Sequence, residues 1–93
     1  MKIQVTQGII NESLALIRAG ESYCKNCPIA VAVRAETGFD CVVGGRVTVL
    51  NHYSYKRYDL PEIAEKFKND FDACLNPDLT ISGDIPKPFE FEL

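Results

Sequence analysis

Apolar and polar positions along the chain change period repeatedly, and each change marks an element. Ile3 and Val5 alternate with Lys2 and Gln4, which is the two-residue period of a strand with one buried face. Thr6 follows, a residue whose hydroxyl can accept a free amide hydrogen bond in the first turn of a helix. Ile10, Leu14 and Ile17 then recur at i, i+4 and i+7, one face of a helix that Gly20 closes. Gly8 weakens the first turn, so this helix is expected to begin nearer Asn11. In SYCKNCPIAVAV, residues 22–33, Pro28 suits the first helical position and Cys27 its cap, with Gly38 as the exit. Ile29, Val31 and Val33 also alternate with alanines, so a strand is the alternative. The proline entry, the Arg-Ala-Glu run and the glycine exit favour the helix.

Asp40 to Val43 and Arg46 to Leu50 flank Gly44-Gly45, which predicts a two-residue hairpin with glycines at positive φ. Asn51-His52 makes a second turn, and Tyr55 to Tyr58 reads as a third strand. Pro61 opens the next helix, with Leu60, Ile63, Ala64, Phe67, Phe71 and Cys74 on one face. Glu62–Lys66, Lys66–Asp70 and Lys68–Asp72 stand at i, i+4 on the other face, and Asn76-Pro77 ends the helix. The tail PKPFEFEL alternates Phe89, Phe91 and Leu93 with glutamates, a last strand whose preceding prolines suit a sheet edge.

The sum is β-α-α-β-β-β-α-β: an α+β fold with a mainly antiparallel sheet and helices packed on one face. The predicted core is Ile3, Val5, Leu14, Ile17, Ile29, Val33, Val47, Val49, Phe67, Phe71, Phe89 and Phe91. Ninety-three residues leave room for one core, so residues 1–93 are read as a single domain. No apolar run approaches the roughly 20 residues of a membrane helix, and the opening MKIQVTQG lacks an apolar signal segment. The expected compartment is therefore the cytoplasm, and no membrane partner is expected. A net charge of −3 argues against a protein that grips a nucleic-acid backbone.

Several stretches resemble a group of short proteins of bacteriophages and bacterial mobile elements. These are Cys27-Pro28-Ile29-Ala30-Val31-Ala32, the hairpin of short strands, Leu60-Pro61 with Phe67 and Phe71-Asp72, and the terminal Pro88-Phe89-Glu90-Phe91-Glu92-Leu93. The resemblance covers most of the chain beyond Cys24. It implies a setting, that of small phage-type accessory proteins, some of which inhibit host defence, and it carries over no catalytic residue.

Candidate chemistry is sparse. Cys24 and Cys27 form a C-x-x-C, which supplies two of the four ligands zinc requires. The remaining ligands would have to come from Cys41, His52 or Cys74, at spacings that form no second pair. A thiol at a helix start has a lowered pKa, which opens dithiol chemistry. Against both, free cysteine commonly serves as a small buried hydrophobe. His52 is the one histidine and lies in a turn without a partner nearby in sequence. The most distinctive stretch is NHYSYKRYD, residues 51–59. Tyr53, Tyr55 and Tyr58 interleave with Lys56 and Arg57, a composition suited to interface hot spots or to stacking on bases. The alternative is an ordinary strand with half its tyrosines packed on the sheet.

The expected function is non-enzymatic binding of a host protein through Arg46, His52, Tyr53, Tyr55, Lys56, Arg57 and Tyr58, with no cofactor and with assembly as a homodimer. A free edge beside Phe89, Phe91 and Leu93 would be open to a strand from a second copy. One alternative is a nucleotide-signal sponge at a dimer interface, with Arg46, Lys56 and Arg57 meeting phosphate. Another is a zinc- or thiol-dependent regulator or enzyme built on Cys24 and Cys27.

Overall fold

A computed structural model describes residues 1–78 and 80–93. The order of elements is β1 (Lys2–Val5), α1 (Gln7–Arg18), α2 (Tyr23–Asn26), α3 (Pro28–Thr37), β2 (Asp40–Val43), β3 (Arg46–Leu50), β4 (Tyr55–Asp59), α4 (Glu62–Cys74) and β5 (Phe89–Glu92). The α+β class and the antiparallel pairing follow the sequence pattern. The strands divide into two sheets where one was expected, and a short third helix, α2, stands between the two helices expected before β2. β1 pairs with β5, with Ile3 opposite Phe91 and Val5 opposite Phe89. β2, β3 and β4 form a three-stranded meander with β3 in the middle.

Local chemistry accounts for the helix ends. The Thr6 hydroxyl accepts the Ile9 amide at 3.2 Å. That cap fixes the first turn despite Gly8, so α1 begins at Gln7 rather than near Asn11. Cys27 occupies the cap of α3 and Pro28 its first position, where a missing N–H leaves no intrahelical bond unmade. Gly38 ends α3 in a left-handed conformation, φ 76°, with its amide on the Arg34 carbonyl. The segment Ile29 to Val33 is helical, and its alternating pattern reflects burial on every side: Pro28, Ile29, Ala30, Val31, Ala32 and Val33 are all buried. A helix that is apolar all round is one surrounded by protein. α3 packs on β1 of one sheet and on β2 of the other, with α1 and α2 beside it.

The predicted core is present, with Phe89 half-buried at its margin. Phe89 stacks on Phe67 with ring centroids 4.6 Å apart and on Phe91 at 5.4 Å, so the aromatic residues of the last strand lie against α4. Full burial of a side chain such as Phe71 contributes about 1.5–3 kcal/mol. Two further expectations are corrected. Ile63 is 57% exposed. The inward stripe of α4 runs through Ala64, Phe67, Phe71 and Cys74, and Ile63 lies about 100° around the helix from Ala64, outside it. The hairpin at Gly44-Gly45 is also different. Val43 pairs with Val47, so three residues make the turn, and neither glycine stands at a left-handed φ. Of the i, i+4 pairs, Lys66–Asp70 closes at 2.7 Å and Lys68–Asp72 at 3.4 Å.

Candidate functional site

The three-stranded sheet has one face in the core and one in solvent. Cys41, Val43, Val47 and Val49 are buried toward the helices, and Tyr58, opposite Val47, packs against the same core. The alternating positions Asp40, Val42, Arg46, Thr48, Leu50, Tyr55, Arg57 and Asp59 therefore share the outer face. That face brings together three of the residues singled out from sequence: Arg46, Tyr55 and Arg57. Lys56 and Tyr58 are on the inner side, with the Lys56 ammonium 5.1 Å from the Tyr58 ring centre. His52 and Tyr53 occupy the turn at the tip, where Tyr53 is 99% exposed.

Each side chain has an identifiable neighbour. The Arg57 guanidinium lies 5.0 Å from the centre of the Tyr55 ring, a cation–π arrangement between positions two apart on one strand face. Arg46 Nε meets Asp59 Oδ1 at 3.2 Å across the ladder. Both groups are largely exposed, so this pair contributes little to stability. The turn itself is built by Asn51, whose Oδ1 accepts the amides of Tyr53 and Ser54 and the Ser54 hydroxyl. His52 stands edge-on to Phe39, centroids 6.4 Å apart. Gly38, Phe39, Asp40, Leu50, Asn51 and His52 line a groove of about 390 Å³ there. Sequence reading missed Phe39, Asp40, Leu50, Val42 and Thr48 as members of this surface. For Asp40, Val42, Thr48 and Leu50 the signal was the same alternation that placed Val47 and Val49 inside, read for its other phase; Phe39 precedes β2 and joins through the groove it shares with His52.

The backbone of β4 is also available. In an antiparallel ladder, successive residues alternate between bonding the neighbour and pointing away from it. The Gly44 amide donates to the Arg46 carbonyl on one side of β3, and the Asn51 amide to the Ser54 carbonyl on the other. This phase joins Val47 with Tyr58 and Val49 with Lys56. Tyr55, Arg57 and Asp59 consequently direct their N–H and C=O groups to the outer edge, where no strand pairs with them among the described residues.

Three of the four cysteines are packed in the interior. Cys24 is exposed on α2, while Cys27, Cys41 and Cys74 are buried. The amides of Ile29 and Ala30 and the Lys68 ammonium favour a Cys27 thiolate, but burial outweighs them and pushes the thiol up. Burial, with the neighbouring Cys27, pushes Cys41 up to about 12. The turn carrying the two cysteines is fastened from both sides. The Ser13 hydroxyl donates to the Asn26 carbonyl, and Arg34 donates to the Lys25 carbonyl at 3.0 Å and to Asn26 Oδ1 at 3.4 Å. Among the described residues no group of three or more His, Cys, Asp or Glu is placed to hold a metal ion, so Cys41, His52 and Cys74 do not complete a set with Cys24 and Cys27. The Cys74 thiol instead donates to the Asp84 carbonyl at 3.2 Å, and His52 has an aromatic neighbour on either side. Among the described residues no helix is long and apolar enough to cross a membrane. No family model matches this chain, and no curated protein or solved structure does either.

Proposed function

We propose that this chain is a non-catalytic binding protein that acts on a host protein through the outer face and tip of the β3–β4 hairpin. Its setting would be the phage-type, anti-defence one that the sequence resemblance implies. The observation that carries this reading is the exposure of Tyr53 at 99% and Tyr55 at 61%, with Arg57 stacked on Tyr55. Large aromatic side chains left in water, preorganised beside a guanidinium, are the residue types that dominate interface energetics once covered. The rest of the sheet face, Val42, Thr48 and Leu50, offers a semi-apolar surface beside them.

The test is affinity capture from host lysate with wild-type protein and with a Tyr55→Ala/Arg57→Ala variant of unchanged melting temperature. The expected result is one stoichiometric partner that the variant loses. Capture that survives both substitutions places the binding surface elsewhere. The groove between Phe39 and His52 favours a second reading, a sponge for a nucleotide signal whose base would enter beside the two rings. A nucleotide that raises the melting temperature of wild-type protein but not of a His52→Ala variant would support it, because a ligand of the native state stabilises that state.

A further inference from the structure

We propose that the open edge of β4 pairs with the β4 edge of a second copy of this chain, in one antiparallel register that sets Arg57 opposite the partner's Asp59 and Asp59 opposite the partner's Arg57. The reading of the hairpin's outer face as a binding surface is not needed for this pairing, which rests on the edge alone.

The backbone supplies the first part of the argument. Tyr55, Arg57 and Asp59 point their N–H and C=O groups away from β3, and an edge of this kind is a template for another strand. A twofold axis normal to the sheet keeps each side chain on its own face, and centring on Lys56, Arg57 or Tyr58 is what pairs three or more residues of Tyr55–Asp59 with the same strand of the second copy. Side-chain charge chooses among these. Centring on Lys56 opposes two lysines, and centring on Arg57 opposes two arginines, both of which destabilise a cross-strand pair. Centring on Tyr58 opposes no like charges. It places the two Tyr58 rings across from each other on the inner face and Lys56 across from Leu60. It also forms the Arg57–Asp59 pair twice on the outer face. The edge hydrogen bonds agree, because Arg57 and Asp59 are both residues with outward N–H and C=O groups, so each pair exchanges two main-chain bonds. Pro61, which has no N–H, then lies across from Tyr55 and ends the ladder. Asp59 is already met by Arg46 of its own strand pair at 3.2 Å and remains largely exposed, so its second oxygen is open to the incoming Arg57. The product is a continuous six-stranded sheet in which both hairpin tips, with Tyr53 and His52, lie outside the new ladder.

Sedimentation equilibrium on the full chain tests this with two charge variants. Wild-type protein is expected to dimerise. Arg57→Asp and Asp59→Arg, each alone, oppose like charges at both pairs and should weaken association by about tenfold or more. Mixed in equal amounts, they restore both pairs and should form a heterodimer as tight as the wild-type dimer. Circular dichroism melts confirm that each variant is folded. Amide exchange gives an independent readout: dimerisation should slow Arg57 and Asp59 and leave Lys56 and Tyr58, already bonded to β3, unchanged. A wild-type monomer at every accessible concentration overturns the proposal and assigns the edge charges to preventing association. A dimer that ignores both substitutions, or a mixture that fails to associate, overturns the register. Neither result bears on capture of a host protein through Tyr55, which is read separately.

Discussion

α3 and β4 have nearly opposite relations to the rest of the molecule. From Pro28 to Val33, α3 presents six consecutive buried residues, and every neighbouring element leans on it. From Tyr55 to Asp59, β4 has one half-buried residue, Tyr58, and its substantial contacts are with β3 alone. The helix is held by its side chains. The strand is held by its backbone, and most of its side chains are left unused by folding. That contrast separates Cys27 and Cys41, buried against α3, from the tyrosines of β4, which are candidates for binding. A residue already committed to packing has little freedom for a ligand, whereas a strand secured by a ladder can vary its outer face at small cost.

Substitutions at the two sites should separate most widely in stability. Ile29→Ala, at a position 1% exposed, should cost about 2–5 kcal/mol in urea denaturation. A cost under about 1 kcal/mol would mean that α3 is not the centre of the core. Cys41, on β2 against α3, should give the next effect. Its folded pKa is raised from 9.0 to about 12, so the native state holds the proton more tightly than the unfolded chain. Stability from this group is therefore intact below pH 9 and is lost as pH rises toward 12, and the decline in a pH series of melts should be shallower in Cys41→Ala.

A smaller effect is expected at the exit of α3. Gly38→Ala forces a side chain into φ 76° and should cost about 1 kcal/mol. Gly44→Ala in the hairpin turn meets no atom within 4 Å and carries no such strain, so its melting temperature should be close to wild type. The smallest stability changes belong to exposed positions. Tyr55→Ala and Cys24→Ser should each alter stability by less than about 0.5 kcal/mol. Capture of a host protein should be lost in the first and kept in the second. The reverse result would return function to the thiols and remove the comparison's main lesson.

Much of this architecture was written locally. Thr6, Cys27-Pro28 and Gly38 act through one turn of chain, so their roles could be read without knowing any tertiary neighbour. The core positions were legible for the same reason, since period 2 and period 3.6 report which side is buried. What the pattern lacked was partnership. Alternation in Lys2–Val5 and in Phe89–Glu92 shows two strands, but not that they pair with each other and leave the meander as a separate sheet. Ser13 breaks the apolar period and drew no reading from it, yet it is buried, with its hydroxyl donated to the Asn26 carbonyl. Gly44-Gly45 misled because glycine permits a left-handed φ without requiring it, and a three-residue turn made that freedom unnecessary. The candidate surface was half legible. Tyrosines and cations stood out by composition, but Val42 and Leu50 join them only through strand register, and Phe39 only through its contact with His52.

The pairing of the first strand with the last has a kinetic consequence. The Leu93 amide reaches the Met1 carbonyl at 2.8 Å, and the reciprocal terminal bond spans 92 positions of chain. Ile3 has no partner strand until Phe91 has been synthesised, whereas the meander from Asp40 to Asp59 closes through neighbours. Non-local pairing is slow to form, so the tyrosine hairpin should take shape on a chain whose hydrophobic centre is still open. The outer face of the hairpin would then be formed before Ile3 and Phe91 have met.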